Sequence, residues 1–178
     1  QAAYRAAQPD IVTARQYLSK GCYQHHPQSC ALLAEIVRDA RGGPRDPKRA
    51  ADLFGIACRA DMQASCVSLG ELYMAGDGVK KDQAGAVQLF EGGCEATPPI
   101  PNGCHMLGKA YLHGSGVAED KIVADQLFRQ ACAAEMAEAC KSVGDLYRDR
   151  EKPSEAKEGE AAIEDPQQVS EKFYSTPT

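Results

Sequence analysis

Residues 58–94 read CRADMQASCVSLGELYMAGDGVKKDQAGAVQLFEGGC, and this stretch holds one whole structural unit. Cys58 is followed after seven residues by Cys66, which opens an apolar helical pattern. A glycine-rich turn comes next, then a second helical pattern that ends on Cys94. Moving the chain by 36 residues carries Cys22 onto Cys58, Cys58 onto Cys94, and Asp46 onto Asp82. Two extra residues between Cys94 and Cys104 account for the later steps of 38, from Cys94 to Cys132 and from Asp82 to Asp120. Self-similarity at such a period is the signature of stacked repeats, each burying its apolar face only against its neighbours.

Asp10, Asp46, Asp82 and Asp120 share one slot, where a carboxylate caps the start of a helix and opposes its dipole. The register predicts second helices of the repeat at about 10–24, 46–60, 82–95 and 120–134. Seven and eight residues after each aspartate stand Tyr17/Leu18, Leu53/Phe54, Leu89/Phe90 and Leu127/Phe128, which two helical turns place on a face turned to a neighbour. The first helices are read as opening on Cys30, Cys66, Cys104 and Cys140. Four residues on come Ala34, Gly70, Gly108 and Gly144, then Val37, Tyr73, Tyr111 and Tyr147. Glycine inside a helix costs about 0.5–1 kcal/mol relative to alanine, so three in one register imply close approach of a partner helix. The turns GDGV (76–79) and GSGV (114–117) end these helices, whereas the first unit has RGGPRDP and a differently shaped, stiffer turn. From Asp149 the pattern stops, giving a repeat domain over 1–150 and a polar tail over 151–178. The tail's charge and low hydrophobicity predict mobility, with at most a short helix around 154–163.

Hydrophobic residues make up 43% of the 178, but aromatics only 6% and tryptophan none, so the core is expected to consist largely of Ala, Leu, Val and Cys. The net charge of −5 and the lack of a Lys/Arg cluster exclude nucleic acid as a partner. No apolar run approaches the roughly 20 residues of a membrane helix, and Gln1 in place of Met suggests a trimmed chain. Eight cysteines in four regular pairs point to an oxidising compartment. Metal is the competing reading: Cys22, His25, His26 and Cys30 are zinc-ligand types, but the other pairs have no histidines between their cysteines and none has CxxC spacing.

Residues 65–79, SCVSLGELYMAGDGV, and 103–117, GCHMLGKAYLHGSGV, resemble the Sel1-like repeat, a tetratricopeptide-related helical hairpin with LG, Y and GxGV signposts. The C-x7-C pairs more narrowly resemble the Helicobacter cysteine-rich proteins. The resemblance covers about residues 10–150 and departs at Ala34, at Val37 and in the loop CEATPPIPNGC (94–104). It implies an all-α, right-handed α-solenoid of about four disulfide-stapled hairpins, with Cys22–Cys30, Cys58–Cys66, Cys94–Cys104 and Cys132–Cys140 bonded. It also implies a protein-interaction module in the periplasm or outside the cell.

The resembling family includes members described as penicillin-binding with weak β-lactamase activity, which makes an enzyme of that type the alternative. Ser154-Glu155-Ala156-Lys157 is the one Ser-x-x-Lys match, but it lies in the polar tail without SDN or KTG elements, so no catalytic residue is assigned. A redox or metal role in another oxidising compartment, such as the mitochondrial intermembrane space, is a third reading. No cofactor and no metal site is expected. His105 and His113, eight residues apart, do not share one helix face and are expected at the surface. The candidate site is therefore a surface for a protein or peptide partner. In tetratricopeptide-like solenoids the first helices line the concave side. The residues after the Gly/Ala slot are Glu35, Glu71, Lys109 and Asp145, and beside the tyrosine slot stand Met74, Leu112, His113 and Arg148. Three acids and one lysine in the first row favour a ligand carrying basic groups, with one acidic group opposite Lys109.

Overall fold

The computed structural model describes residues 11–151, and within these the chain forms eight helices and no strand. They are α1 (Ile11–Tyr23), α2 (Pro27–Arg38), α3 (Pro47–Arg59), α4 (Gln63–Ala75), α5 (Gln83–Glu95), α6 (Pro101–His113), α7 (Lys121–Ala133) and α8 (Ala137–Glu151). Two compact units divide at Leu146, and the first holds the repeats. From α1 to α7 each helix packs on the next in the chain, as in an α-solenoid, and α4 also touches α6. Asp10 and the segment 152–178, including Ser154, Lys157 and the short helix considered at 154–163, lie outside the described residues.

The second helices lie where the aspartate register put them. Asp46 accepts from the backbone N–H of Arg49, Asp82 from that of Gly85, and Asp120 from those of Ile122 and Val123, at 2.9–3.1 Å. Such caps contribute about 1 kcal/mol each. The first helices begin one turn earlier than the cysteines suggested, at Pro27, Gln63, Pro101 and Ala137, which puts each cysteine at the fourth helical position. The connectors explain this shift. Asp61 turns left-handed (φ +60°) and donates to the Cys58 carbonyl, while Met62 donates to that of Ala57 and at the same time caps α4. That is the Schellman ending, whose last residue doubles as the start of the next helix. His25/His26 and Glu135/Met136 repeat it. Proline at the first helical turn of α2 and α6 loses no hydrogen bond there.

All four bridges link nearest neighbours: Cys22–Cys30, Cys58–Cys66, Cys94–Cys104 and Cys132–Cys140, with Cα separations of 4.6–4.7 Å. In each case the penultimate residue of a second helix is tied to the next first helix. On the opposite edge, Gly76 and Gly114 close α4 and α6 in the left-handed conformation. The first-unit turn differs, as its sequence indicated, because α2 ends without glycine and Ala40 takes the left-handed position. Arg45 in that turn makes a forked ion pair with Asp77 in the next, joining successive turns along the edge.

The interior contains Ala, Leu, Val and Cys, with three fully buried rings, Phe54, Phe90 and Phe128, as its largest members. A side chain on Gly70 would strike the Phe90 ring at 2.7 Å, and one on Gly108 the Phe128 ring at 2.6 Å. Both glycines are thus kept by the aromatic residue of the following helix. A methyl group on Gly144 would meet nothing within 4 Å, so close approach does not account for that glycine. Tyr17 also departs from the shared apolar pair: it is 68% exposed, because α1 has a helix neighbour on only one side among the described residues.

Candidate interaction surface

Three polar contacts connect successive first helices. Arg38 of α2 lies 3.7 Å from the Glu71 carboxylate of α4, and Asn102 of α6 donates to the other Glu71 oxygen at 2.7 Å. His105 of α6 meets Ser142 of α8 at 3.1 Å. These contacts place the first helices side by side as one continuous surface, and they give Glu71 an internal role. Arg38 is further held by the Phe54 ring, whose centroid is 5.6 Å from its guanidinium carbon.

The sequence-selected residues distribute unevenly over this surface. Met74, Lys109 and His113 come together around an apolar hollow of about 140 Å³ whose walls also include Phe90, Met106 and Ala110. Glu35, half-buried, borders a separate hollow of about 330 Å³ with Leu32, Ala31, Ala64 and Ser68. Leu112 and Asp145 are half-buried and line neither hollow, while Arg148 is exposed. Asn102, Met106, Arg38 and the 51%-exposed Leu32 were not singled out in the sequence. Met106 had a legible signal, since it shares a helix face with Lys109 and His113 at spacings of three and seven. A wider depression, about 700 Å³, lies off this row, between the 78–82 turn and Lys48 and Asp52 of α3. It is open and lined by exposed charges, so it offers no enclosure for a ligand.

His105 corrects the surface expectation: it is only 4% exposed and lies 5.5 Å from the Phe128 ring. The sequence could not show that α8 packs over this position. Because the Ser142 hydroxyl donates to the Glu138 carbonyl, His105 Nε2 carries the proton and donates to Ser142. Nδ1 is buried without a partner among the described residues. Burial, reinforced by the Lys109 charge and partly opposed by Glu138, lowers the His105 pKa below the ordinary histidine value. A depressed histidine pKa means the unfolded chain binds the proton first. Its contribution to stability is therefore full above about pH 6.5 and is lost as pH falls through that value towards the folded pKa. Unfolding midpoints measured from pH 7 to pH 5 should fall more steeply for the native protein than for His105→Gln; parallel curves would show that His105 is not the titrating group.

Cys22 and Cys30 are bonded to each other, as are the other six cysteines in their pairs, and no cysteine is free. Four disulfides in a chain of this size mark an oxidising compartment. No described helix is long and apolar enough to cross a membrane.

A disulfide-stapled array of paired helices with a continuous first-helix surface defines a helical repeat module of the kind that serves as an interaction scaffold. The chain belongs to the Sel1 repeat family, which it matches over residues 4–26, 27–62, 63–96 and 101–136. Among solved structures it is similar to Helicobacter pylori cysteine rich protein B, at 27% identity and TM-score 0.56, covering 75% of this chain and 94% of that one. A Sel1 repeat protein from Oxalobacter formigenes is similar at 25% identity and TM-score 0.60, with 73% and 96% covered. A protective antigen of uropathogenic Escherichia coli shares the fold at TM-score 0.71 and 24% identity, covering 79% of this chain and 30% of that one. Among curated proteins, cytochrome c oxidase assembly factor 7A of Xenopus laevis is 35% identical over 81 residues, which are 45% of this chain and 35% of that protein. Cytochrome c oxidase assembly factor 7 of Xenopus tropicalis is 33% identical over 82 residues, 46% and 36% respectively. The matched part is thus about a third of the length of these curated relatives.

Each bridge between matched repeats crosses a repeat boundary: Cys22 to Cys30, Cys58 to Cys66 and Cys94 to Cys104 each join one repeat to the next. The disulfides therefore fix the junctions between repeats, while Gly76 and Gly114 close the hairpins within the repeats 63–96 and 101–136.

Proposed function

We propose that this protein is a non-enzymatic scaffold of the periplasm or the extracellular space that binds a peptide or protein partner along its first-helix face. The observation that carries the reading is the side-by-side seating of the first helices through Arg38, Glu71 and Asn102, flanked by two hollows with apolar walls and charged rims. Glu35 and Lys109 are the charges best placed to choose a ligand. Rim charges act mainly on association rate and specificity, so single changes should weaken binding by about 1 kcal/mol or less and more so at low salt.

Selection of displayed random peptides on the oxidised protein tests this. Selected peptides should bind several-fold more weakly to Glu35→Lys or Lys109→Glu, with helicity unchanged by circular dichroism. Glu71 stays in place because it receives Asn102. Undiminished binding to both variants would move the site elsewhere. The penicillin-hydrolysing alternative is decided by nitrocefin: the expected rate is that of buffer, and turnover abolished by Ser154→Ala would establish the enzyme instead.

A further inference from the structure

The hollow between α4 and α6 differs from an ordinary packing gap in what surrounds it. It is lined by the fully buried Phe90 and by Met74, Met106 and Ala110, with Ser115 beside them. At about 140 Å³ it is close to the roughly 150 Å³ apolar cavity that admits benzene, which is the scale of a single aliphatic side chain. Both methionines are half-buried, and their unbranched, polarisable chains can adjust to ligands of different shape. Lys109 and His113 stand at the mouth, four residues apart on one face of α6. Both are exposed, and neither makes an ion pair or hydrogen bond among the described residues.

An apolar hole with unpaired basic groups on its rim selects for two features at once in a bound chain. We infer that this slot takes one aliphatic side chain of an extended partner peptide, and that Lys109 and His113 pair with an acidic residue flanking it. The inference rests on the first-helix reading given above and deepens it. Here the local preference is for acid next to leucine, methionine or isoleucine, opposite in sign to what Glu35 favours at the other hollow. A partner spanning both would carry its basic groups towards α2 and its acidic groups towards α6.

The probe is the capped hexapeptide Ala-Glu-Leu-Glu-Glu-Ala, titrated into oxidised protein carrying ¹³C-methyl methionine. The chain has four methionines, so Met136, which lines neither hollow, and Met62, which lines the separate Glu35 hollow, serve as internal references for binding at this slot. The Met74 and Met106 methyl signals should move while the references stay. A peptide with alanine in place of leucine should bind about tenfold more weakly, the loss expected for one buried aliphatic side chain. A peptide with lysine in place of each glutamate should bind several-fold more weakly at low salt. The double variant Lys109→Glu/His113→Glu, changed only at exposed positions, should reverse that preference. Equal binding of all three peptides, movement of Met62 or Met136 instead, or no binding at millimolar peptide would each overturn the slot. The broader reading is judged separately: if displayed peptides still bind and respond to Glu35→Lys while the hexapeptide fails, the first-helix face stands and only the slot falls.

Discussion

Replacing Cys58 and Cys66 together by serine is expected to lower stability by about 2–3 kcal/mol and to split a single unfolding transition into two. The energy follows from loop closure, since a bridge over so short a segment removes that much freedom from the unfolded chain in the entropy model. The splitting follows from where the bridge lies. Cys58 belongs to the repeat 27–62 and Cys66 to the repeat 63–96, so their bond clamps a boundary at which a repeat array would otherwise uncouple. Amide exchange in the variant should rise first at the 59–63 junction. Losing the Cys22–Cys30 bridge should instead fray α1 alone, because nothing described precedes it. An unchanged midpoint with one sharp transition in the Cys58/Cys66 variant would show that side-chain packing, not the bridge, couples the repeats.

Adding one methyl group at Gly108 should cost about 2–3 kcal/mol, whereas the same change at Gly144 should be neutral or slightly stabilising. A Cβ at residue 108 would lie 2.6 and 2.7 Å from two Phe128 ring atoms and 3.3 Å from the Ala124 carbonyl. Phe128 is fully buried and has no room to retreat, so the helices must separate. At residue 144 the methyl meets nothing, and alanine's better helix propensity, about 0.5–1 kcal/mol, acts unopposed. Chemical denaturation of Gly108→Ala and Gly144→Ala decides it; equal effects of the two would refute the ring-against-glycine account.

The contrast between those glycines also shows what the sequence contained. The period, the aspartate caps and the second-helix spans were legible because each depends on local chemistry repeated in register, and Asp46, Asp82 and Asp120 all cap as read. The starts of α2, α4 and α8 were misplaced by a turn because the Schellman connectors use His25, Asp61 and Glu135, residues without glycine's signature for a left-handed position. At the surface, the row Glu35, Glu71, Lys109 and Asp145 was found by counting, but counting cannot tell a ligand-facing carboxylate from one held by Asn102 of the neighbouring helix. Burial of His105 was equally out of reach, since it depends on Ser142, 37 residues away. The Met74–Met106 hollow needed two helices to be seen together, although each methionine's position on its own helix was readable.

The central claim is that partners engage the first-helix face, and site-specific photo-crosslinking in the native envelope or secreted fraction tests it most directly. A photoreactive residue placed at 35 or 109 on the first helices, and at the exposed positions 52, 88 or 130 on the second helices, samples both sides without disturbing the core. Engagement of the first-helix face predicts a common adduct from 35 and 109 that is lost on competition with unlabelled protein, and none from 52, 88 or 130; adducts confined to the second-helix positions would contradict it.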